Sequence, residues 1–427
     1  MENLKSFKRL FNVGTTLTGI GLRVGAQEYL GLTTDEDAYA KKLRQTFGEL
    51  KGPFMKMVQF LATVPDALPP EFAAEFMTLQ SNAPSMGENF VRRRLAGELG
   101  QNWKDVFRDF SLKASNAASL GQIHKAVSLG GEDLAVKLQY PDMESVIRTD
   151  LKQLDMVLSI YRSFNKSIDT QDIAEEIRER LYEELDYGLE AKNLEEFRKI
   201  FEHQLDFVIV PKVYLELSTR RLLTMEWISG RSILDCAHEE SDFRNELGKK
   251  LFLSWYWPLY RYGILHGDPH PGNYLVLSNG QICILDFGCV RRFDQRFLEA
   301  VVDLYIAIRD NKPELAVDAY GRWGFNNTNK ELIEVLNEWA KLLYEPLIDN
   351  KKRPIQDVNG GKKGWEVAKK VHKRLHELGG VKPPREFVFM DRAAVGIGSV
   401  LMRLGAEQNW HKLFEEIIDD MQIKKAQ

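Results

Sequence analysis

Residues 266–288 constrain the fold more than any other part of the chain, because they combine a hairpin signal with polar residues at fixed positions. The stretch reads His-Gly-Asp-Pro-His-Pro-Gly-Asn, an apolar run, Asn279-Gly280, a second apolar run and Asp-Phe-Gly. Asn-Gly is the favoured pair in a two-residue hairpin turn. A two-residue turn there predicts that Asn273 and Asp286 lie directly opposite each other, with Cβ atoms about 5 Å apart.

Two oxygen ligands at that separation can share one cation. Mg²⁺ takes oxygen ligands and usually adds phosphate oxygens and water, so the hairpin predicts a magnesium site at Asn273 and Asp286. Asp268 stands five residues before Asn273 on the loop that enters the hairpin. This is the Asp-x-x-x-x-Asn spacing of a phosphotransferase catalytic loop, in which the aspartate accepts the proton of the attacking hydroxyl. Asp268 is therefore the candidate catalytic base, and ATP is the expected phosphoryl donor.

A lysine on an earlier predicted strand is the candidate phosphate ligand. Residues 117–139 alternate as two strands around a Gly-Gly turn, and the alternation places Ala135 and Lys137 on the same face. A lysine on an inward face needs an anionic partner, because burying it unpaired is costly. The α- and β-phosphates of ATP would serve, with a helix glutamate orienting the amine. Ala135 and Lys137 are therefore candidate nucleotide-binding residues.

Three other segments complete the candidate nucleotide site. Residues 115–121 stand where a typical kinase has a glycine-rich loop over the phosphates, although alanine adds a Cβ and stiffens such a loop. Residues 222–230 form an apolar strand that runs into a small-residue turn, which suits a hinge behind the adenine. The candidate nucleotide contacts from these segments and from the hairpin are Ala117, Ala118, Ser119, Met225, Glu226, Ile228 and Leu275.

Residues 143–203 read as long charged helices with a buried stripe at helical spacing. Glu184 and Glu190 are six residues apart, so on a regular helix they would point about 120° away from each other. They could therefore serve two different lysines. A solvated acidic face is the plainer alternative for this segment taken alone.

Strands early and helices late describe an α+β fold with two lobes and a cleft between them. The expected domains are a helical extension at 1–110, a first lobe at 111–230 and a second lobe with helical extension at 231–427. The net charge of −4 argues against a nucleic-acid partner. Three cysteines without a Cys-x-x-Cys pair argue against a zinc or disulfide framework and favour the cytoplasm.

The N-terminal segment is the candidate membrane contact. Lys5, Lys8 and Arg9 precede a weakly apolar run that Arg23 interrupts, and the run is too polar for a good signal-peptide core. An interfacial helix facing anionic lipid and a helix packed on the domain are equally good interpretations. No segment in the chain reaches the roughly 18 apolar residues that a spanning helix needs.

Taken together, residues 5 to 415 resemble the UbiB/ADCK group of atypical protein-kinase-like proteins, which are tied to ubiquinone biosynthesis. The resemblance implies a bilobal protein-kinase-like fold with the N-terminal helical extension packed over the active site. It makes Glu190 the partner of Lys137. The matching motifs are the alanine-rich loop at 116–119, the nucleotide lysine at 137, Glu-x-Asp-Tyr at 184–187, the catalytic and metal loops at 266–273 and 286–288, and an N-terminal Lys-x-Gly-Gln signature at 56–59.

The resemblance also implies regulation. In the family, the lysine of the N-terminal signature meets the Glu-x-Asp carboxylates, which here are Glu184 and Asp186. Lys56 and Gln59 are three residues apart and so share one helical face. Val58 stands where the family has glycine, and Asn116 where it has the first alanine of its loop.

The implied activity is an ATP- and Mg²⁺-dependent ATPase or unorthodox kinase that supports isoprenoid-quinone biosynthesis at a membrane surface. The expected partners are ATP, isoprenoid-quinone precursors or lipid, an anionic bilayer and a second copy in a homodimer. The C-terminal membrane spans of some bacterial members are not expected here, since the chain ends in polar residues. The alternatives are a small-molecule kinase of the aminoglycoside or choline type and a pseudokinase that holds nucleotide or lipid without turnover.

Overall fold

The computed structural model describes residues 86–118, 120–164, 170–202, 204–325, 329–356, 370–371, 374 and 385–425. The predictions on the N-terminal basic segment, on Lys56, Val58 and Gln59, and on Ser119 lie outside the described residues. Two compact units make up the chain. The first unit is Met1–Leu189 with Tyr214–Trp227, and the second is Glu190–Val213 with Ile228–Gln427. The predicted domain boundaries at 110 and 230 stay predictions.

The helices are α1 (Glu88–Leu99), α2 (Met143–Phe164), α3 (Thr170–Glu183), α4 (Tyr187–Glu202), α5 (Ser241–Tyr262), α6 (Gln295–Arg309), α7 (Pro313–Arg322), α8 (Lys330–Ile348), α9 (Arg385–Leu404) and α10 (Trp410–Lys425). The strands are β1 (Phe107–Phe110), β2 (Asn116–Ala117), β3 (Gly121–Ser128), β4 (Asp133–Gln139), β5 (Val208–Ile209), β6 (Leu222–Glu226), β7 (Arg231–Ser232), β8 (Ile264–His266), β9 (Tyr274–Val276), β10 (Ile282–Ile284), β11 (Val290–Arg292), β12 (Arg353–Pro354) and β13 (Glu407–Gln408). No helix among the described residues is both long enough and apolar enough to cross a membrane.

The first unit contains an antiparallel sheet in the order β1-β3-β4-β6, and β2 pairs with β3. The predicted pair of strands around the Gly-Gly turn is confirmed, and Gly131 has the positive φ of 96° that the turn requires. Helix α1 covers one face of the sheet, where its buried Val91 and Leu95 share a core with Val136 and Leu138. The opposite face carries Lys137.

One part of the predicted helical extension is wrong. Residues 107–110 form the edge strand β1, which pairs with β3. Trp103 and Phe107 are buried in the core beneath the sheet, and Phe110 packs against both. Tertiary pairing with a neighbouring strand therefore overrides the helical reading of this short segment.

The predicted continuous acidic helix is also interrupted. Helix α3 ends at Glu183 and α4 begins at Tyr187, so Glu184 and Glu190 do not lie on one regular helix. Asp186 causes the break, because its Oδ1 accepts hydrogen bonds from the backbone N–H groups of Gly188 at 3.0 Å and Leu189 at 3.2 Å. This is the geometry of a helix N-cap. The predicted 120° relation between the two glutamates therefore does not apply.

Helix α5 organises the second unit, and its bounds confirm the predicted helix at 242–262. The C-terminal helix α10 packs along it, with the rings of Phe252 and Trp410 at 5.2 Å and those of Tyr260 and Phe414 at 5.5 Å. Trp410 and Phe414 are fully buried. Among the described residues of this unit there are three small sheets, in the orders β5-β10-β9-β7, β11-β8 and β12-β13. The C-terminal helices are therefore part of the core that supports these strands.

Candidate catalytic and nucleotide-binding residues

The hairpin β9–β10 exists, but its register differs from the predicted one. Ile284 pairs with Tyr274, so the backbone N–H of Leu285 reaches Asn273, at 3.0 Å from its carbonyl oxygen. The turn is a three-residue loop in which only Gly280 has positive φ, at 77°. The N–H of Gly280 donates to the carbonyl of Leu277 at 2.9 Å. This is the type I turn with a glycine bulge, the next most common hairpin connection.

A three-residue loop shifts the pairing by one residue relative to a two-residue loop. Asn273 therefore pairs with Leu285, and Asp286 is the next residue along the chain. The prediction that Asn273 and Asp286 are directly opposed is wrong. Both residues still lie where the hairpin strands end, and both are partly exposed. Their assignment to Mg²⁺ stays a prediction that no longer depends on direct opposition.

Asp268 and Asn273 are held together by hydrogen bonds within one loop. The side-chain Nδ2 of Asn273 donates to the carbonyl oxygen of Asp268 at 3.0 Å and lies 3.4 Å from its Oδ2. The N–H of His270 also donates to the Asp268 carbonyl, at 2.7 Å. Since Nδ2 is committed to Asp268, the amide presents Oδ1 as its acceptor atom. A carbonyl-type oxygen is a ligand that Mg²⁺ accepts.

Two hydrogen bonds hold Asp286 in place, one to its side chain and one to its main chain. Its Oδ1 accepts a hydrogen bond from the N–H of Gly288 at 2.9 Å. The Nε2 of His266 donates to the carbonyl oxygen of Asp286, which requires the tautomer with the proton on Nε2. His266 is itself held, because Trp255 Nε1 donates to its carbonyl oxygen at 3.2 Å. The main-chain carbonyl of Asp286 is thus anchored through His266 to the long helix α5.

The residue between Asp286 and Gly288 anchors the same segment in the core. Phe287 is fully buried, and its ring lies 5.1 Å from that of His266 and 4.9 Å from that of Phe197. Asn193 Nδ2 on α4 donates to the Phe287 carbonyl at 3.0 Å. These contacts place the partly exposed Asp286 next to a tightly packed core.

The electrostatics of the loop are also clear. Burial raises the pKa of Tyr274, and the charge of Asp268 adds to the rise, so this hydroxyl stays protonated at physiological pH. Within the described ranges, no group of three or more His, Cys, Asp or Glu side chains could hold a metal.

Lys137 is buried in the middle of the sheet face that α1 does not cover. In β4 it pairs with Ile123 on one side and Leu223 on the other, while Ala135 pairs with Met225. Residues directly opposite across a sheet share a face, so Ala135, Lys137 and Met225 all lie on the face that α1 does not cover. The expected alternation of Ala135 and Lys137 is confirmed.

An aromatic ring holds the amine of Lys137. Its Nζ lies 5.1 Å from the ring centroid of Tyr187, which is 1% exposed. A cation over a buried ring is stabilised by about 1–2 kcal/mol. Tyr187 also touches the start of β3, since a Cβ at Gly121 would lie 2.7 Å from its hydroxyl oxygen and 2.3 Å from the carbonyl of Leu138. Only glycine fits at position 121.

Strand β6 ends where the hinge was predicted. The N–H of Trp227 donates to the carbonyl of Asp133 at 2.9 Å, which makes these two residues a hydrogen-bonded pair. Alternation then directs the backbone groups of Glu226 away from β4, toward the edge of the sheet. Met225 is buried and Glu226 is exposed. The main chain of Glu226 therefore points away from β4, and its contact with adenine stays a prediction.

The carboxylates of the predicted regulatory pair have different surroundings. Asp186 caps α4, and its Oδ2 lies 3.8 Å from Nε of the exposed Arg220. Glu184 lies in the turn before it and is partly exposed. Glu190 is buried in the first turn of α4 and is the first residue of the second unit, whereas Lys137 belongs to the first. The ion pair between Lys137 and Glu190 stays a prediction.

Each unit contains its own part of the predicted set. Sequence reasoning missed the roles of His266 and Tyr187, although both stand inside motifs that it used. The first unit holds Ala117, Ala118, Ala135, Lys137, Glu184, Asp186, Met225 and Glu226. The second holds Glu190, Ile228, Asp268, Asn273, Leu275 and Asp286.

A sheet that presents a buried lysine, an Asp-x-x-x-x-Asn loop and an Asp-Phe-Gly segment at the end of a hairpin together define a protein-kinase-like phosphotransferase fold. Comparison with known proteins agrees. The family model for the ABC1 atypical kinase-like domain matches residues 78–317, which is more than half of the chain. The chain therefore belongs to the ABC1 atypical kinase-like family.

Individual relatives extend the likeness. The chain is 33% identical over 297 residues to the chloroplastic Activity of BC1 Complex Kinase 1 of Arabidopsis thaliana, covering 67% of this chain and 43% of that protein. It is 28% identical over 415 residues to an uncharacterized chloroplastic aarF domain-containing protein kinase of the same plant, covering 94% and 57% respectively. These matches span about half the length of the two relatives.

A solved structure covers nearly the whole chain. It is that of Rv3197 from Mycobacterium tuberculosis in complex with erythromycin, which is 28% identical with a TM-score of 0.63. The match covers 90% of this chain and 96% of that one.

Proposed function

We propose that this chain is an ATP- and Mg²⁺-dependent phosphotransferase that acts as an ATPase or an unorthodox kinase. In this proposal Asp268 accepts the proton of the attacking hydroxyl or water, and Asn273 and Asp286 are the protein ligands of Mg²⁺. Lys137 binds the nucleotide phosphates, and Glu190 is its carboxylate partner. Bound Mg²⁺ would neutralise the charge on the phosphates.

The hydrogen bond from Asn273 to the carbonyl of Asp268 is the observation that carries the proposal. It fixes the distance between the candidate base and the candidate metal ligand, and it orients the amide so that Oδ1 is presented to a cation. The anchoring of Asp286 through His266 supports the same reading, since a metal ligand must be held in place before the metal arrives.

The proposed nucleotide site rests on the shared face of Ala135, Lys137 and Met225. Ala117 is the last residue of β2 and Ala118 is the first residue of the turn to β3, where the N–H of Ala118 donates to the carbonyl of Gly121 at 2.9 Å. In the proposal this turn contacts the phosphates together with Ser119, and the main chain of Glu226 and Ile228 contacts the adenine. Leu275 lies on β9 and contributes apolar contact.

The test is phosphate release from ATP by the purified protein, with and without Mg²⁺, for wild type and Asp268→Asn. We expect Mg²⁺-dependent release that falls by a factor of about 10³ in the variant, because a catalytic base is lost. The exposed Asp294 caps α6 and gives the matched control Asp294→Asn. Nucleotide binding by a folded wild type without any Mg²⁺-dependent release would instead identify a pseudokinase.

The proposal also places the activity in isoprenoid-quinone biosynthesis at a membrane surface, from a cytoplasmic location. Support comes from the family resemblance and from the basic segment with Lys5, Lys8, Arg9 and Arg23. Phosphate release should rise when anionic liposomes and a quinone-precursor-like phenol are added. Deleting residues 1–30 should abolish co-sedimentation with anionic liposomes and spare nucleotide binding. Unchanged sedimentation would mean that this segment is packed structure.

Regulation by the N-terminal signature is a further part of the proposal. Lys56 and Gln59 would lie over the active site and exclude protein substrates, with Glu184 and Asp186 as the carboxylate partners of the lysine. The test compares phosphate transfer to a generic protein by wild type, Lys56→Ala and Val58→Gly. Robust transfer by the wild type that Lys56→Ala leaves unchanged would rule the occlusion out.

A second candidate function is phosphorylation of a small hydroxylated molecule. The observation that favours it is the structural likeness to a protein solved in complex with erythromycin. Adding erythromycin or an aminoglycoside to the phosphate-release assay distinguishes the two functions. Stoichiometric ADP formation with phosphate on the added compound would support small-molecule kinase activity.

A further inference from the structure

Helix α9 lies beyond the stretch that the family model matches, yet it touches the catalytic loop. The backbone of Gly396 approaches Pro269 so closely that a Cβ at Gly396 would lie 2.5 Å from Pro269 Cγ. Real Cβ atoms essentially never come that close to another heavy atom. Pro269 directly follows Asp268, so the contact is made one residue from the proposed base.

The helix that makes this contact is firmly held at its other end. Leu401 of α9 is fully buried and lies against Gly248 of α5. Arg244 of α5 donates through Nη1 to the carbonyl of Leu404 at 3.3 Å and to that of Gly405 at 2.7 Å. These bonds satisfy carbonyl groups at the end of α9. Helix α9 is therefore fixed on α5 and can act as a rigid stop.

The catalytic loop that carries Pro269 is also conformationally restrained. The pyrrolidine ring of Pro269 leaves little room for adjustment, because it locks φ of that residue. The Asp268 carbonyl accepts hydrogen bonds from the N–H of His270 and from Nδ2 of Asn273. Displacing Pro269 would therefore strain the bonds that set the Asp268–Asn273 geometry.

We infer that α9 positions the catalytic loop through the Gly396–Pro269 contact, so that Gly396 is a positioning residue for Asp268. The expected effect of Gly396 on catalysis rests on the proposed function, whereas its expected effect on the geometry of the loop does not. It means that a helix outside the matched domain sets the geometry of a loop inside it. Glycine in a helix interior is less stable than alanine, and the close approach of Pro269 explains why glycine is present at position 396.

The test is Gly396→Ala, with Gly398→Ala as the matched control on the same helix. A Cβ at Gly398 would meet the end of the flexible Gln356 side chain at 3.2 Å, which can move aside. Both variants gain the same helix propensity. We expect Gly396→Ala to lower the rate of phosphate release on the order of tenfold or more and Gly398→Ala to leave it unchanged.

The readout that does not depend on activity is hydrogen exchange of the amides of His270 and Asn273, which donate to the carbonyls of Asp268 and His270 respectively. Gly396→Ala should speed their exchange about tenfold, and Gly398→Ala should not. Replacing Pro269 by alanine removes the clashing Cγ. The further effect of Gly396→Ala should therefore largely disappear in the Pro269→Ala background.

The possible outcomes distinguish a failure of the proposed function from a failure of the positioning role of Gly396. If the wild type releases no phosphate but the exchange pattern is as expected, the proposed function fails and the positioning contact stands. If the wild type is active and Gly396→Ala matches Gly398→Ala in exchange and rate, then α9 yields instead of the loop and the inference is wrong. If Gly396→Ala alone does not fold, Pro269→Ala must restore folding, and failure to restore it contradicts the inference.

Discussion

Asn273 donates its side-chain N–H to the main-chain carbonyl of Asp268 over 3.0 Å, and its Nδ2 lies 3.4 Å from the Asp268 carboxylate. One amide thus connects the candidate base to the candidate metal site. Asparagine can do both tasks because it carries a donor and an acceptor on one planar group. Aspartate can supply only the oxygen.

This difference gives the first prediction. Asn273→Asp keeps an oxygen ligand but loses the donor and adds a negative charge beside Asp268, so we expect the maximal rate of phosphate release to fall about a hundredfold. Asn273→Ala loses the metal ligand as well and should also need more Mg²⁺ for half-maximal rate. The measurement is rate against Mg²⁺ concentration. A wild-type rate in Asn273→Asp would show that the tether to Asp268 is dispensable.

The second prediction concerns Asp286. Asp286→Asn removes a negative charge from the metal site but keeps an Oδ1 that can accept from Gly288. It should therefore abolish the Mg²⁺-dependent thermal stabilisation by ATP and leave the metal-free melting temperature nearly unchanged. Asp294→Asn makes the same change at a helix N-cap and serves as the control. Equal Mg²⁺-dependent stabilisation of Asp286→Asn and wild type would remove Asp286 from the metal site.

The third prediction concerns Tyr187 and Lys137. Tyr187→Phe keeps the ring beneath the amine, whereas Tyr187→Leu removes it. Loss of a cation–π contact of about 1 kcal/mol should weaken ATP binding roughly fivefold in the leucine variant alone. Titration of ATP against each folded variant measures this. Similar losses in both variants would point to the hydroxyl group rather than to the ring.

The fourth prediction concerns pH. Burial lowers the pKa of His124 below 6.5, and the hydrogen bond from its Nδ1 to the Ser111 carbonyl at 2.7 Å offsets only part of the shift. The unfolded chain then binds more protons than the folded one below pH 6.5. The contribution of His124 to stability is therefore present above pH 6.5 and is lost as the pH falls through the folded value.

Protonation of His124 has a local consequence as well. Gln122 Nε2 donates to its Nε2 at 2.8 Å, and Gln122 Oε1 accepts from the N–H of Met86 at 2.7 Å. A protonated imidazole cannot accept that hydrogen bond. Unfolding curves between pH 7.5 and 5 should show a smaller loss of stability in His124→Gln than in wild type or in His238→Gln. An equal loss of stability in all three proteins would show that groups other than His124 cause the pH dependence.

Local patterns identified the strands, the helix at 242–262 and the phosphotransferase motifs, because each depends on neighbours in the chain. The alternation around Lys137 and the Asp-x-x-x-x-Asn spacing needed no knowledge of packing. The predicted hairpin register was wrong by one residue, although the position of the turn was predicted correctly. Asn-Gly is compatible with a two-residue turn and with a three-residue loop closed by a glycine bulge, and the choice between them depends on the strands that each register pairs.

Long-range contacts decided the remaining features. Residues 107–110 form a strand because they pair with β3 and because Phe107 is buried in the core. His266 is connected to Asp286 across twenty residues of chain, and Gly396 reaches Pro269 across more than a hundred. Sequence motifs alone identify the candidate catalytic and metal-binding residues, because the residues of each motif are close together along the chain. The contacts that hold those residues in place are visible only in the tertiary structure. They join segments that are far apart along the chain, and such contacts produce no periodic pattern in the sequence.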